Sequence, residues 1–166
     1  MSSVRFLFPK LRLTSQLREA GGVAVADALA AAKANLEELK PQAVITLRST
    51  AADLMTAYQQ LPASFDVDAL RNLYAVSARG VGSGAVAGAP AADEALISLC
   101  DLLDYLGTSG RWDMEAIGVH ISTLQLLAMG ASGHPPSGVD ELLAGLKKVA
   151  ARYADAQTGE PAAQGA

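Results

Sequence analysis

The sequence predicts an all-α fold, an up-and-down four-helix bundle with an additional N-terminal arm and helix. About a fifth of the 166 residues are Ala, and the remaining apolar residues are mostly Leu and Val, a composition that favours helix over sheet. Apolar residues recur at steps of three and four in segments of about 15–20 residues. Short connections join most of these segments, which favours antiparallel packing of neighbouring helices. No alternating strand pattern competes with this interpretation.

Helix-breaking residues and a change in composition near the end of the sequence predict three parts. Residues 1–22 form an N-terminal arm that Gly21-Gly22 ends, residues 23–155 form the helical bundle, and residues 156–166 form a tail. The tail consists of small and polar residues, which predicts disorder.

The positions of glycine, proline and N-cap residues predict six helices. Pro41 separates the first two, because proline is well tolerated in the first turn of a new helix. Asp66 and Asp113 are placed as N-caps of the third and fifth. The predicted helices cover, in order, residues 23–39, 42–60, a segment from Asp66 to about 81, 90–106, 114–129 and 139–153. Gly107 to Gly110 predicts a turn, and residues 130–138 predict a loop.

Each helix has an apolar stripe that the bundle is expected to bury. The stripes of the first three helices are Val25, Leu29, Ala32, Leu36 and Leu39; Val44, Leu47, Ala51, Leu54 and Tyr58; and Leu70, Leu73, Tyr74, Ser77 and Val81. Those of the fourth and fifth are Ala95, Leu96, Leu99, Cys100, Leu102, Leu103 and Leu106; and Met114, Ile117, Ile121, Leu124 and Leu127 or Ala128. The last helix contributes Val139, Leu142, Leu143, Leu146, Val149 and Tyr153.

Composition excludes several classes of function. The net charge of −4 and the pI of about 5.1 argue against nucleic-acid binding, which normally needs a basic stripe. One Cys excludes an internal disulfide, and with two His it is too few for a Cys/His zinc site. No apolar run approaches the roughly 20 residues of a membrane span. The apolar stretch among the first residues is too short for a secretory signal. We therefore expect a cytoplasmic protein without metal or other cofactor.

The segment from Arg79 to Gly88 is the most unusual part of the chain, because its glycines should each cost about 1 kcal/mol in a helix interior. A nucleotide-binding loop is disfavoured, since a helix pattern precedes the glycines and no Lys-Ser or Lys-Thr pair follows them. Two compatible interpretations remain. The glycines allow two helices to approach closely, or they allow a partner protein to approach from outside.

The stretch from Leu73 to Pro90, followed by Ser98-Leu99-Cys100, resembles histidine-containing phosphotransfer (Hpt) proteins, in particular a stand-alone type found in alphaproteobacteria. In that pattern a helix carries a histidine, a basic residue three positions later and a glycine four positions later. A further Gly, a Gly-x-Pro step and a second helix that ends in Ser-Leu-Cys follow. The residues in register are Gly82, Gly84, Gly88, Pro90, Ser98, Leu99 and Cys100. The arm, with Phe8-Pro9 and Arg12-Leu13, also resembles the opening of these proteins.

The chain departs from the pattern at its reactive position. Ala78 stands where the resemblance places the phospho-accepting histidine, and Val81 stands where it places the basic residue. The histidine matters because its imidazole nitrogen attacks an aspartyl phosphate, and a methyl group has no nucleophile. The resemblance therefore implies a degenerate Hpt protein that binds a response-regulator receiver domain or a histidine kinase without accepting phosphate.

The docking residues that the resemblance implies are Ala78, Arg79, Gly82, Ser83 and Val86. Arg79 is the strongest single candidate for a partner contact, because guanidinium groups suit carboxylate-rich surfaces such as a receiver's active site. The alternative is a structural or dimerising helical bundle with no role in a phosphorelay. We do not predict an enzyme, since the sequence offers no paired acids, metal cluster, or nucleophile with a recognisable base.

The remaining candidates have simpler interpretations. His120 is predicted at the margin of the apolar face of the fifth helix, either packed there or acting as a substitute phosphoryl acceptor, although no basic residue or glycine follows it at the expected spacing. His134 is expected in a solvated loop. Cys100 is expected in the core with a raised thiol pKa, and Trp112 at the corner between the fourth and fifth helices. The acidic residues expected on solvated helix faces are Glu37, Glu38, Asp53, Asp101 and Asp104.

Overall fold

A computed structural model describes residues 21–131 and 137–158, with side chains described as far as Tyr153. These residues contain helices and no strand, which confirms the all-α class for this part of the chain. The helices are α1 (Val25–Gln59), α2 (Val67–Gly80), α3 (Ser83–Ala87), α4 (Pro90–Ser109), α5 (Met114–Gly130) and α6 (Val139–Thr158). The chain divides into two compact units, residues 1–35 and 36–166. The predicted arm up to residue 20, His134, and residues 159–166 of the predicted tail lie outside the described residues.

The prediction that Pro41 separates two helices is wrong, because α1 continues through it. Proline has a backbone φ that suits a helix, and its cost in a helix interior, about 3 kcal/mol, comes from the lost N–H and a clash with the preceding turn. Strong helix formers precede Pro41, and a buried stripe that begins at Ala43 and Leu47 follows it. Propensity on one side and burial on the other therefore maintain one continuous helix.

The apolar stripe predicted for the first helix is not buried. Val25 is 75% exposed, Leu29 58%, Leu36 51% and Leu39 56%. The contribution of α1 to the core begins only at Ala43 and continues through Leu54. The pattern correctly predicted a helix, but it did not reveal that these four side chains remain more than half exposed.

Helix α4 is the centre of the core. It packs against α2, α3, α5 and α6, and five of its leucines are at most 2% exposed: Leu96, Leu99, Leu102, Leu103 and Leu106. Burial of each such side chain stabilises the fold by about 1.5–3 kcal/mol. The predicted turn at Gly107 is wrong, because α4 runs to Ser109. A Cβ at Gly107 would lie 2.9 Å from Leu70 Cδ2, so the glycine lets α2 lie against α4.

The helix starts at Asp66 and Asp113 are confirmed. The Asp66 carboxylate accepts from the Ala69 N–H at 2.7 Å, and the Asp113 carboxylate accepts from the Ala116 N–H at 2.8 Å. A carboxylate at this position satisfies a backbone donor that the first helical turn leaves unpaired.

Trp112 fixes the corner between α4 and α5, as predicted. Its indole N–H donates to the Ser64 carbonyl at 3.0 Å, and its ring packs against Phe65 with a centroid distance of 4.9 Å. The corner is thereby joined to the connection between α1 and α2.

Beyond the first stripe of α1, three further residues predicted to face inward are exposed by more than a third: Tyr74 (39%), Val81 (41%) and Met114 (38%). Leu73 and Ser77 are buried as predicted, and Val76 and Gly80 complete the buried face of α2. A Cβ at Gly80 would contact Thr50 of α1, so the glycine gives α1 a place to pack. Helix α6 reaches Thr158, three residues into the predicted tail. No helix in the described ranges has both the length and the apolar character that a membrane span requires.

Candidate functional site

We define the α2–α3 surface as the five residues that the sequence marked for docking: Ala78, Arg79, Gly82, Ser83 and Val86. Ala78 and Arg79 are exposed in the last turn of α2, and Gly82 is exposed at the start of α3. Ser83 and Val86 are half-buried, and Val86 packs against the core. The surface accessible to a partner therefore centres on Ala78, Arg79 and Gly82.

Gly82 connects the end of α2 to the start of α3, and its φ of 95° lies in the left-handed region. Side chains disfavour this conformation, and glycine adopts it without a steric penalty. The Ser83 hydroxyl then donates to the Gly80 carbonyl at 2.5 Å, which satisfies a carbonyl at the end of α2. Together these features fix the direction in which the chain leaves Ala78.

Asp93 holds the turn in place, a role that the sequence did not reveal. Its carboxylate accepts three backbone N–H donors, those of Gly82 at 2.9 Å, Gly84 at 2.9 Å and Ala85 at 2.7 Å. The side chain lies in the first turn of α4, and the residue is only 9% exposed. A capping side chain normally lies within three positions of the N–H groups that it accepts from. Asp93 instead lies eight to eleven residues after these donors.

Two of the glycines allow close packing, which confirms one of the two sequence interpretations. A Cβ at Gly84 would lie 2.7 Å from the Ala89 carbonyl oxygen and 2.8 Å from Asp93 Oδ1. A Cβ at Gly80 would lie 2.6 Å from Thr50 Cγ2 on α1. Contacts this short have no room for a side chain, so these positions require glycine to bring α1 and α4 against the α2–α3 segment.

Arg79 also lines a shallow groove of about 370 Å³ between α1 and α2. The α1 wall includes Ile45, which is 61% exposed, and Asp53. Among the described side chains, no ion pair within 4.0 Å includes Arg79. Its guanidinium therefore retains donors for a partner at the edge of the α2–α3 surface.

His120 lies in the core and not at the margin of the apolar face, which corrects its predicted position, and it packs there with local hydrogen-bond partners as one of the two interpretations expected. Its side chain is fully buried, with Nδ1 2.8 Å from the Ala116 carbonyl and Nε2 3.0 Å from the Ser98 hydroxyl oxygen. The carbonyl only accepts, so Nδ1 carries the proton and the Ser98 hydroxyl donates to Nε2. Burial lowers the pKa of His120. With both ring nitrogens engaged in the core, His120 is not positioned to attack a phosphate on another protein.

The other sequence candidates do not converge on a site. Cys100 is half-buried, and burial, followed by the charges of Asp101 and Asp104, raises the pKa of its thiol to about 11. The acidic residues Glu37, Glu38, Asp53, Asp101 and Asp104 are exposed. Within residues 21–131 and 137–153, no group of three or more His, Cys, Asp or Glu side chains is arranged to hold a metal ion.

The α2–α3 surface is suited to noncovalent binding. Ala78 and Gly82 have no reactive group, the Ser83 hydroxyl donates to a backbone carbonyl, and Arg79 supplies a positive charge. Comparison of the chain with models of protein families, with curated proteins and with solved structures gives no match. The geometry and the sequence pattern are therefore the basis for a functional proposal.

Proposed function

We propose that the chain is a degenerate Hpt-like protein of two-component signalling. It binds a receiver domain or a histidine kinase through the α2–α3 surface and does not accept a phosphoryl group. In this proposal residues 36–59 of α1 form a four-helix bundle with α2, α4 and α5, to which α6 adds a further helix. The observation that carries the proposal is the exposed methyl group of Ala78 at the position where the resembling family presents its histidine.

The shape of the surface supports docking of a folded domain. Ala78 is followed one turn later by Gly82, and both are exposed, so the helix end presents a methyl group and bare backbone. Small residues let an opposing backbone approach closely, because no long side chain has to be displaced or immobilised. Asp93 and the close contacts at Gly84 hold this backbone in place before a partner arrives.

The charge of Arg79 supports an acidic partner. The phospho-accepting site of a receiver domain is rich in carboxylates, and a guanidinium pairs with carboxylate through two parallel hydrogen bonds. Without an imidazole at residue 78, such a contact holds the receiver and leaves its phosphate untouched. The protein would thus compete with active phosphotransfer partners for the same receiver.

Binding is tested with the full chain against the receiver domains and kinase cytoplasmic domains of the same organism, by biolayer interferometry. We expect at least one partner with a Kd of the order of micromolar, in the range of transient signalling contacts. Ala78→Tyr should weaken that binding at least about tenfold, equivalent to 1.4 kcal/mol. Ala144→Tyr, at an exposed alanine of α6, is the matched control and should bind normally. Equal binding by the two variants would refute docking at the α2–α3 surface.

Phosphotransfer is tested with a phosphorylated receiver that binds the chain. We expect no stable label on the protein, and label that persists on it would refute the inactive role. The double variant Ala78→His with Val81→Lys restores the residue types of the family pattern. If docking brings residue 78 to the receiver's phosphate, this variant should acquire label, and Ala144→His should not.

A homodimer is the second candidate function, and the exposed stripe of α1 favours it. Val25, Leu29, Ala32, Leu36 and Leu39 follow one another at steps of four, three, four and three residues. This is the spacing of a coiled-coil seam, in which the apolar residues of one helix fit between those of an identical helix. The four large side chains of the seam are more than half exposed, so pairing with a second copy would remove them from water.

Sedimentation equilibrium tests the dimer, and the binding assay above tests the signalling role. If the seam pairs two copies, the wild-type chain sediments as a dimer at tens of micromolar, and Leu29→Glu with Leu36→Glu gives a monomer. A wild-type monomer would exclude the dimer, whereas loss of receiver binding in Ala78→Tyr alone would support the signalling role.

A further inference from the structure

A separate cleft lies where the end of α4, the start of α5 and the α6 residues Arg152 and Tyr153 meet. Its volume is about 520 Å³, within the range typical of small-molecule sites. The lining residues are Tyr105, Leu106, Thr108, Ser109, Arg111, Trp112, Asp113, Arg152 and Tyr153. None of them belongs to the α2–α3 surface, so the proposed docking function does not use this cleft.

The charge of this cleft differs from that of the rest of the protein. Its lining contains two arginines, Arg111 and Arg152, and one acid, Asp113. The chain as a whole has a net charge of −4. In three other clefts lined by described residues, acidic residues outnumber or equal the basic residues, whereas here the basic residues outnumber the acidic one. An anionic ligand is therefore favoured here.

The single acid of the cleft is already engaged by the protein. The Asp113 carboxylate accepts from the Ala116 N–H and from the Tyr153 hydroxyl, and these hydrogen bonds lower the pKa of Asp113. Donors directed at a carboxylate stabilise its charge. The carboxylate of Asp113 therefore already has hydrogen-bond donors from the protein and does not need donors from a ligand.

Three other polar side chains of the lining donate their hydrogen bonds to the protein backbone, so the two arginines supply the donors for a ligand. The hydroxyl protons of Thr108 and Ser109 and the indole N–H of Trp112 go to backbone carbonyls of Asp104, Leu106 and Ser64. Arg111 and Arg152 are exposed, and no ion pair within 4.0 Å includes either of them among the described residues. Each guanidinium offers five N–H donors in a planar fork that matches a phosphate or carboxylate.

Aromatic side chains are concentrated in the same place. The chain has one Trp, four Tyr and three Phe, and the Trp and two of the Tyr line this cleft. Trp112 is held by its hydrogen bond to Ser64 and by its contact with Phe65, so its ring is a preorganised wall against which a planar group can stack.

We propose that this cleft binds a small aromatic phosphate monoester, with the phosphate dianion between Arg111 and Arg152 and the ring of the ligand against Trp112. The phosphate is favoured over a single carboxylate because its greater charge and three terminal oxygens serve two guanidinium groups at once. The ring is favoured because a bare anion would leave the aromatic wall in water. Nucleoside monophosphates and phosphotyrosine share this chemistry and are the two sources that the experiment separates.

Trp112 is the only tryptophan of the chain, so its fluorescence reports directly on the cleft. The full-length protein is titrated with phenyl phosphate, and inorganic phosphate and phenol are the two partial probes. We expect saturable quenching by phenyl phosphate with a Kd below about 1 mM, and at least about tenfold weaker binding of each partial probe. Absence of saturable quenching by phenyl phosphate, or equal binding of phenol, would overturn the proposal.

Charge-neutral variants assign the binding to the cleft. Arg111→Gln and Arg152→Gln should each weaken phenyl phosphate binding at least about tenfold, the equivalent of 1.4 kcal/mol. Arg71→Gln is the matched control, because Arg71 is an exposed arginine on α2 that pairs with Asp68 at 3.0 Å. It should bind as the wild type does. Equal loss in all three variants would indicate nonspecific attraction of anions and refute a site at this cleft.

Titrations with adenosine monophosphate and phosphotyrosine then distinguish the two sources. Tighter binding of either one than of phenyl phosphate supports the proposal and identifies its source. Binding of both at least about tenfold more weakly than phenyl phosphate would refute a biological ligand of this class. Circular dichroism of each variant confirms that the helices are retained.

Discussion

Replacement of Asp93 by Ala should destabilise the protein more than any other substitution of an acidic residue on α4. The carboxylate accepts three backbone N–H groups at the start of α3, and the N–H of Gly84 is in a buried hydrogen bond. A buried donor left without a partner costs about 1–3 kcal/mol, and hydrogen bonds to a charged group contribute about 1.5–3 kcal/mol each when water does not replace them. Water can reach the part-buried N–H groups of Gly82 and Ala85, which limits their loss.

The net effect is estimated from these contributions. Loss of the bonds costs about 3–4 kcal/mol, and the higher helix propensity of Ala returns about 0.5 kcal/mol. We therefore expect Asp93→Ala to lower the free energy of unfolding by about 3 kcal/mol, a large part of the 5–15 kcal/mol typical of a domain. Asp93→Asn keeps one acceptor oxygen of the same shape, which can still serve Gly82 and Gly84. This variant should lower the free energy of unfolding by only about 1–2 kcal/mol, because it loses the charge and the hydrogen bond from the Ala85 N–H.

Urea unfolding followed by circular dichroism at the helix band measures both variants. Asp101→Ala is the control, because Asp101 lies on the same helix and is exposed, and such a change should stay within about 0.5 kcal/mol. If Asp93→Ala lowered the free energy of unfolding no more than Asp101→Ala, the carboxylate would not organise the turn. The account of a preformed α2–α3 surface would then be wrong.

Three further predictions follow from the same geometry. Gly84→Ala should destabilise the protein by more than about 2 kcal/mol because its Cβ would meet backbone at 2.7 Å, whereas Gly145→Ala, in open space on α6, should stabilise it by up to about 1 kcal/mol; thermal unfolding compares the two. The lowered pKa of His120 keeps it neutral in the folded state, while the unfolded chain binds a proton below the ordinary value of 6.5. The free energy of unfolding should thus fall as pH is lowered through 6.5 towards the folded pKa, and denaturant titrations of His120→Gln should lack this part of the pH dependence. The raised pKa of Cys100, about 11 against an ordinary 9.0, predicts about 100-fold less thiolate than in the unfolded chain at pH 8; a thiol reagent that modified native and urea-unfolded protein at equal rates would contradict this.

Local features of the chain were sufficient to predict most helix positions. The N-caps at Asp66 and Asp113 and the end of α1 at Gln59, one residue from the predicted end, all depend on interactions within a few residues. The prediction failed at Pro41, where the cost of a proline is local but the burial that outweighs it lies further along the helix. It also failed at Gly107, because the helix continues to Ser109 and ends at Gly110, whose φ of 62° lies in the left-handed region.

The candidate site was found in part by the same reasoning. The sequence placed Ala78 and Arg79 at the end of a helix before a glycine turn, and both are exposed there. It gave no indication of Asp93, because the donors that this residue satisfies belong to a segment folded back from before α4.

By itself, the sequence determined the all-α class and the absence of a histidine at residue 78, since composition, periodicity and residue identity require no knowledge of neighbours in space. The tertiary structure alone decided that His120 is enclosed in the core, that the first stripe of α1 faces solvent, and that two arginines line one cleft with Trp112. The physical reason is that burial and charge pairing depend on which surfaces meet. Helical periodicity marks an apolar face, but only packing determines what covers it.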